Sequence, residues 1–392
     1  MDFGVFRSHE FPLLDDAARP VTYLDWTGAA LPPASLIERH CSYLSTKLLG
    51  NPHSSHHPSK NSMDDMDRTR VAVLAYFRAD PSEYDVIFTS GATGAILLLQ
   101  HFMFEGGELL LSADNHNSVN GLREVAKRAG AKVRYVSLMD DLSLDSRYGE
   151  AALGCPHKGR KLFCLPAKSN YSGQHHDLEW VRKAQRLGGG WYVMLDAASY
   201  LVNERLDLSP SSPCHPDFVP VSFYKPFGYS TGLGCLIIKK TAYAALNKKW
   251  FAGGSILLVA VAKDFYAHEI EGHAMYEDGT QNFASMAAVR AGFDFLDRVD
   301  MTGFNRFAHA VNLADEFAEG LRAIRREFGS GREIIIHSPE HTDIVTFSVV
   351  RRGTYVDAWV IEQAASEKKI CFLGLRTCKS CRELKNARRV RS

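Results

Sequence analysis

The stretch Asp85-Val86-Ile87-Phe88-Thr89-Ser90-Gly91-Ala92-Thr93-Gly94 passes from an apolar strand pattern into small residues, and Gly94 to Phe102 then place apolar side chains on one helical face. A strand that feeds a helix through such a turn is one half of a parallel crossover unit. The same rhythm recurs downstream, with strand-like runs at Glu108 to Ser112, Lys132 to Val136, Lys161 to Leu165, Tyr192 to Leu195, Phe218 to Ser222 and Leu233 to Ile238. Helical spacing fills Val119 to Ala129 and Leu178 to Arg186. It also precedes the first strand over 63–78, where Met66, Val73 and Phe77 share one side. These patterns predict an α/β protein with a mainly parallel, seven-stranded sheet and helices on both faces. From residue 283 the rhythm changes. Two long helical patterns (283–299 and 302–326) lead to strands at Glu333 to Ile336 and Ile344 to Val349, a helix at 355–367 and a short strand near Ile370 to Leu373. The expected division is a large domain over 20–282 and a smaller α+β domain over 283–392, joined by 1–19.

Composition narrows the class further. The 392 residues carry 46 Lys+Arg against 45 Asp+Glu and are 45% hydrophobic, which excludes a disordered or fibrous chain. A net charge of +1 gives no global attraction to nucleic acid, although residues 368–392 hold nine Lys/Arg against Glu383 alone. That basic tail has Phe372 as its one aromatic, so a nucleic-acid partner is not expected. There is no apolar run long enough to span a membrane and no secretory pattern at the start, and the eight cysteines are thinly spread. The expectation is a cytoplasmic protein without a membrane partner. His53, His56 and His57 sit in a Gly-Asn-Pro loop, and the lone Cys378-x-x-Cys381 has no second pair, so no metal is expected.

In open α/β sheets, ligands bind beyond the carboxyl ends of the strands, which directs attention to the residues after each run. Gly91, Ala92 and Thr93 follow the first run and suit a phosphate, or simply a tight turn. His116 follows the second, as a catalytic residue or a helix cap. Asn170 follows the Lys161 run. Asp196, with Ser199 close behind, ends the Tyr192 run, either as a cap or as a carboxylate holding a protonated ring nitrogen. Ser222-Phe223-Tyr224-Lys225 ends the next, and a Lys among aromatics at a strand end suits Schiff-base chemistry.

Together, the order phosphate turn, His, Asn, Asp, Ser-x-x-Lys resembles the fold-type I pyridoxal phosphate enzymes of the class V aminotransferase and cysteine desulfurase group. Within that group it is most similar to the sulfurase domain of molybdenum cofactor sulfurases. The stretches that carry the likeness include Tyr23 to Ala30, Gly50 to Ser54, Phe88 to Thr93, Asp114 to Val119, Ser169 to Gly173, Leu195 to Tyr200, Asp217 to Lys225, Thr231 to Gly234, Phe251 to Gly254 and Glu277 to Thr280. The resemblance implies pyridoxal 5'-phosphate as cofactor, bound covalently by Lys225, which also acts as general base. Asp196 would keep the pyridine nitrogen protonated, His116 would stack on the ring, and Asn170 would hydrogen-bond the phenolic oxygen with Ser199 beside it. Gly91, Ala92, Thr93 and Ser222 would hold the phosphate, and Thr280 would reach it from the second subunit of a homodimer. Trp26 stands where the group has His or Asn and is a candidate for the substrate pocket, or for plain packing.

The likeness thins toward the carboxyl end. Leu375-Arg376-Thr377-Cys378-Lys379-Ser380-Cys381 keeps the lead-in of the group's nucleophile loop but changes its cysteine spacing. Cys378 is the candidate persulfide-forming nucleophile, its basic neighbours favouring the thiolate, and Arg376 the candidate for the substrate carboxylate. The chain ends 14 residues past Cys378, so the small domain is expected to lack its closing strands. The implied activity is release of sulfur from L-cysteine as an enzyme persulfide, with alanine as product and a sulfur-acceptor partner downstream. Alternatives are transamination, β-elimination or decarboxylation of another amino acid, or a non-catalytic scaffold in a sulfur relay.

Overall fold

The computed structural model describes residues 3–154, 159–187, 190–268, 272–327 and 332–374. They form two compact units: one of Ala30–Ser169 with His175–Asn305, the other within Met1–Ala29, Asn170–Gln174 and Arg306–Ser392.

The larger unit is built on seven strands: β1 (Tyr84–Thr89), β2 (Glu108–Ser112), β3 (Lys132–Val136), β4 (Lys161–Pro166), β5 (Trp191–Asp196), β6 (Phe218–Ser222) and β7 (Gly234–Lys239). Their order across the sheet is β1-β7-β6-β5-β4-β2-β3, and only β7 runs antiparallel to its neighbours. Strands β2, β4 and β6 are buried at every residue, as expected of runs covered by helices on both faces. Ile87, Leu109, Leu111, Leu162, Met194, Phe218 and Leu236 share one core with the helices Ala92–Leu98 and Leu122–Arg128. All seven expected strands are present in this unit.

The bounds of the units differ from the 282/283 division expected from sequence. Helix Met286–Met301 buries Met286, Val289, Phe293 and Leu296, and Phe293 stacks on Tyr76 of the helix His57–Tyr76 with centroids 4.3 Å apart. Its apolar face is therefore satisfied within the sheet unit, and the compact unit runs on to Asn305.

Among the described residues, no strand neighbours the outer edge of β1. Arg70 and Glu277 close it instead. Two parallel N–H···O bonds of 2.7 Å join the guanidinium to the carboxylate, Arg70 Nη1 also donates to the Val86 carbonyl at 2.9 Å, and Glu277 Oε1 accepts from the Phe88 N–H at 2.6 Å. Both side chains are about nine-tenths buried, so an exposed strand edge is replaced by a desolvated ion pair.

In the smaller unit, Arg332–Ile336, Phe347–Arg351 and Thr354–Tyr355 form an antiparallel sheet accompanied by helices Arg306–Glu327 and Ala358–Glu367. The second of these strands lies three residues beyond the expected start at Ile344, because Thr342 and Ser338 engage the backbone of Ile344 and Thr346 first. Thr22–Tyr23 pairs in parallel with Ile370–Cys371. Among the described residues, no helix is long and apolar enough to cross a membrane.

Candidate active site

The carboxyl ends of β1 and β6 come together across a single residue of β7. Gly234 is the register partner of both Thr89 and Ser222. A Cβ there would lie 2.2 Å from the Val221 carbonyl oxygen and 2.5 Å from Gly91 Cα, so only glycine lets the turn after β1 close against β6. Once closed, the Ala92 N–H donates to Ser222 Oγ at 2.7 Å and Thr89 Oγ1 donates to the Gly91 carbonyl at 2.9 Å. Gly91 has φ +130°, and a side chain there would meet Ser222 Oγ at 3.3 Å. The result is a cradle of small residues and hydroxyls. Gly234→Ala should cost about 1–3 kcal/mol by overpacking, read by urea unfolding, and should weaken anion binding at the cradle, read by titration with inorganic phosphate.

From the cradle a short chain of contacts leads to His116. Thr93 Oγ1 lies 2.9 Å from Ser118 Oγ, which lies 3.1 Å from His116 Nδ1, and the Ser118 N–H donates to that same nitrogen at 3.2 Å. His116 thus caps helix Asn117–Asn120, its Nδ1 accepts, and in the neutral ring the proton sits on Nε2. The expected alternatives, cap or functional ring, are compatible here: the backbone contact orients an imidazole that stays exposed.

Asp196 ends β5, is 7% exposed, and accepts the Ala198 N–H at 3.0 Å. Burial raises its carboxyl above the usual range, while the charges of Lys225 and His116 and the Ala198 bond pull it back. Lys225 lies on the helical turn Tyr224–Phe227 directly after β6, its Nζ 5.5 Å from the Tyr224 ring centroid, and the residues two before and two after it, Phe223 and Phe227, are buried. Ser199 Oγ, three residues past Asp196, is buried without a hydrogen-bond partner. A buried carboxylate short of positive charge, an orphaned hydroxyl and a cradle that a Cβ would fill all fit a phosphorylated, protonated pyridine ring.

The other expected residues lie elsewhere. Thr280 is exposed and follows a firmly anchored segment: Glu277 is held by Arg70, and Asp278 accepts from the buried Lys248 at 2.5 Å and from Ser255 Oγ at 2.5 Å. His53 Nε2 sits 3.2 Å from the Gly279 carbonyl, so the Gly50–Ser54 loop belongs to the same local assembly. Asn170 and Trp26 fall in the smaller unit. There Trp26 packs edge-on against Phe11 and Tyr23, with centroids 5.6 and 5.8 Å away. Arg376 and Cys378 lie outside the described residues. No group of three or more His, Cys, Asp or Glu among the described residues could hold a metal. Sequence reasoning passed over Ser118 and Arg70. Ser118 stood inside a quoted stretch next to His116, whereas nothing local marks an arginine whose partner is 207 positions away.

Comparison with known proteins agrees with this layout. The profile of the Aminotransferase class-V family matches residues 22–371. Molybdenum cofactor sulfurase of Homo sapiens is 33% identical over 404 residues, covering 95% of this chain and 44% of that protein. The Bos taurus protein of the same name is 32% identical over 387 residues, covering 91% and 43%. The chain thus spans less than half the length of these relatives. Among solved structures, the apo cysteine desulfurase from Thermococcus onnurineus NA1 superposes with a TM-score of 0.77 at 21% identity, over 94% of this chain and 86% of that one. Cysteine desulfurase CsdA from Escherichia coli gives 0.73 at 22% identity, over 95% and 87%. At that identity the structural likeness speaks for the fold. With the family profile running from the first strand of the smaller unit to its last, and the large sheet placing Asp196, Lys225 and the cradle at the carboxyl ends of β5, β6 and β1, the chain belongs to the class-V aminotransferase family.

Proposed function

We propose that the chain binds pyridoxal 5'-phosphate at the β1, β5 and β6 ends and releases sulfur from L-cysteine, with alanine as product. The observation that carries the reading is the placement of buried Asp196 at the end of β5 and of Lys225 just past the end of the adjacent β6, beside a cradle that only glycine permits. The names of the curated relatives support sulfur as the element transferred. When bound, the cofactor supplies an electron sink for negative charge developing at the substrate Cα.

Each residue then has a task. Gly91, Ala92, Thr93 and Ser222 hold the phosphate, and Thr280 reaches it from a second copy of the chain in a homodimer. Asp196 keeps a ring N–H protonated, because a buried carboxylate is stabilised by a cation against it. His116 packs on the ring, and Ser199 engages its phenolic oxygen. Lys225 anchors the cofactor and, when released, moves protons at the substrate Cα. The Cys378 thiolate attacks the substrate sulfur and carries it as a persulfide to an acceptor protein. Such chemistry suits the cytoplasm, in keeping with free Cys41, Cys164, Cys214, Cys235 and Cys371 among the described residues.

Incubation of the purified, cofactor-loaded protein with L-cysteine should yield alanine and sulfur in equal amounts. Bound cofactor without alanine overturns the sulfur reading and leaves another amino acid reaction of the same residues. Cys378→Ser separates desulfuration from β-elimination: alanine formation should fall at least tenfold in the first case and elimination should be unchanged in the second.

A further inference from the structure

One buried pair of titratable side chains stands outside the residues assigned above yet is tied to two of the segments that carry them. His176 and Asp114 have side chains only 1% and 5% exposed, and His176 Nε2 lies 2.7 Å from Asp114 Oδ2. Asp114 sits two residues before His116, in the turn that follows β2. His176 lies beyond the end of β4, where its backbone N–H donates to the Ala167 carbonyl at 3.0 Å. The pair therefore fastens the turn bearing His116 to the backbone at the end of β4.

Asp114 is held at both oxygens, because Ser112 Oγ donates to Oδ1. Burial pushes its carboxyl up. The hydrogen bond and charge of His176, with the Ser112 and Ser169 hydroxyls, more than reverse this, so the group stays ionised. Facing an ionised carboxylate, His176 Nε2 is the donor of the pair, and His176 Nδ1 is buried without a partner. The next residue is pinned as well: the Asn115 amide donates to the Ser112 carbonyl at 3.0 Å and the Cys164 carbonyl at 2.9 Å. A desolvated pair of this kind contributes little net stability, since the cost of removing a carboxylate from water offsets its attraction. What it supplies is a fixed geometry.

We propose that Asp114 and His176 are positioning residues, which lock the 112–116 turn so that the His116 ring is presented to the cofactor. This rests on pyridoxal phosphate binding at the site. The pair touches neither substrate nor cofactor and acts through His116 alone.

A double-mutant cycle on cofactor affinity tests it, with pyridoxal phosphate titrated into the full chain and followed by tryptophan fluorescence and by the circular dichroism induced in the bound cofactor. His176→Phe keeps the ring volume and removes the donor. It should weaken binding on the order of tenfold and diminish the induced dichroism, whereas His176→Phe combined with His116→Ala should bind no more weakly than His116→Ala alone. Additive losses would mean a general structural role and would overturn the proposal. Should His176→Phe fail to fold, Asp114→Asn takes its place, and a loss that persists in the His116→Ala background overturns the proposal equally. Normal affinity with unchanged dichroism in the folded single variant also sinks it and leaves cofactor binding intact. If the unaltered chain binds no pyridoxal phosphate, the parent reading falls and this one with it.

Discussion

Lys225→Ala should lower turnover of L-cysteine by roughly 10²- to 10⁴-fold from the lost proton transfer alone. Loss of covalent attachment of the cofactor deepens the effect. The fold should survive, since Lys225 is half-buried on a single helical turn whose packing comes from Phe223, Pro226 and Phe227. The cradle at Gly91, Ala92 and Ser222 and the carboxylate of Asp196 remain in place, so pyridoxal phosphate should still bind without a covalent link. Borohydride treatment should then attach cofactor to the unaltered chain and not to the variant, with the same far-ultraviolet circular dichroism in both. Full turnover in the variant would end the assignment of this lysine.

The second large effect concerns stability. Arg70→Met should destabilise the protein by about 3–5 kcal/mol, because Glu277 is left buried with its charge uncompensated and the outer edge of β1 loses its cover. The double replacement Arg70→Met with Glu277→Gln should cost less than the single one, as it removes both charges and keeps an acceptor for the Phe88 N–H. Urea unfolding of the three proteins measures the difference. If the double variant is the less stable, the pair is a net source of stability instead of a guard on the strand edge. The single variant should also loosen the 277–280 segment, which the Arg70–Glu277 pair anchors.

The large sheet was legible because its strands are short apolar runs buried on both faces, a pattern that survives without any contact information. Helix Ala34–Thr46 escaped notice. Its cap position is Pro33, which offers no side-chain bond, and it buries only Leu36 and His40. The hairpin Ile256–Ala260 with Phe265–His268 was missed for a related reason: Leu257, Leu258, Val261 and Phe265 are exposed, so its apolar residues mark no core. At the site, Lys225, Asp196 and the Gly91 turn could be found because each stands at the end of a strand that reads clearly. The His176–Asp114 and Arg70–Glu277 pairs could not, since they join positions 62 and 207 residues apart. Long-range polar pairing leaves no periodic trace in a sequence.

The place of β7 has a consequence for how the protein is made. Among the described residues, strand β1 pairs with β7 alone, so residues 84–89 wait for residues 234–239 before they find a partner strand. The cradle closes across Gly234 and so comes into being at the same moment. During synthesis the chain must therefore keep β1 and the turn at Gly91 unpaired while some 150 further residues emerge, the slow and exposed situation of a high contact-order topology. The turn at Gly91 takes its final form only when Gly234 seats between Thr89 and Ser222, so the cradle is a product of the completed sheet and cannot serve as an early template for it.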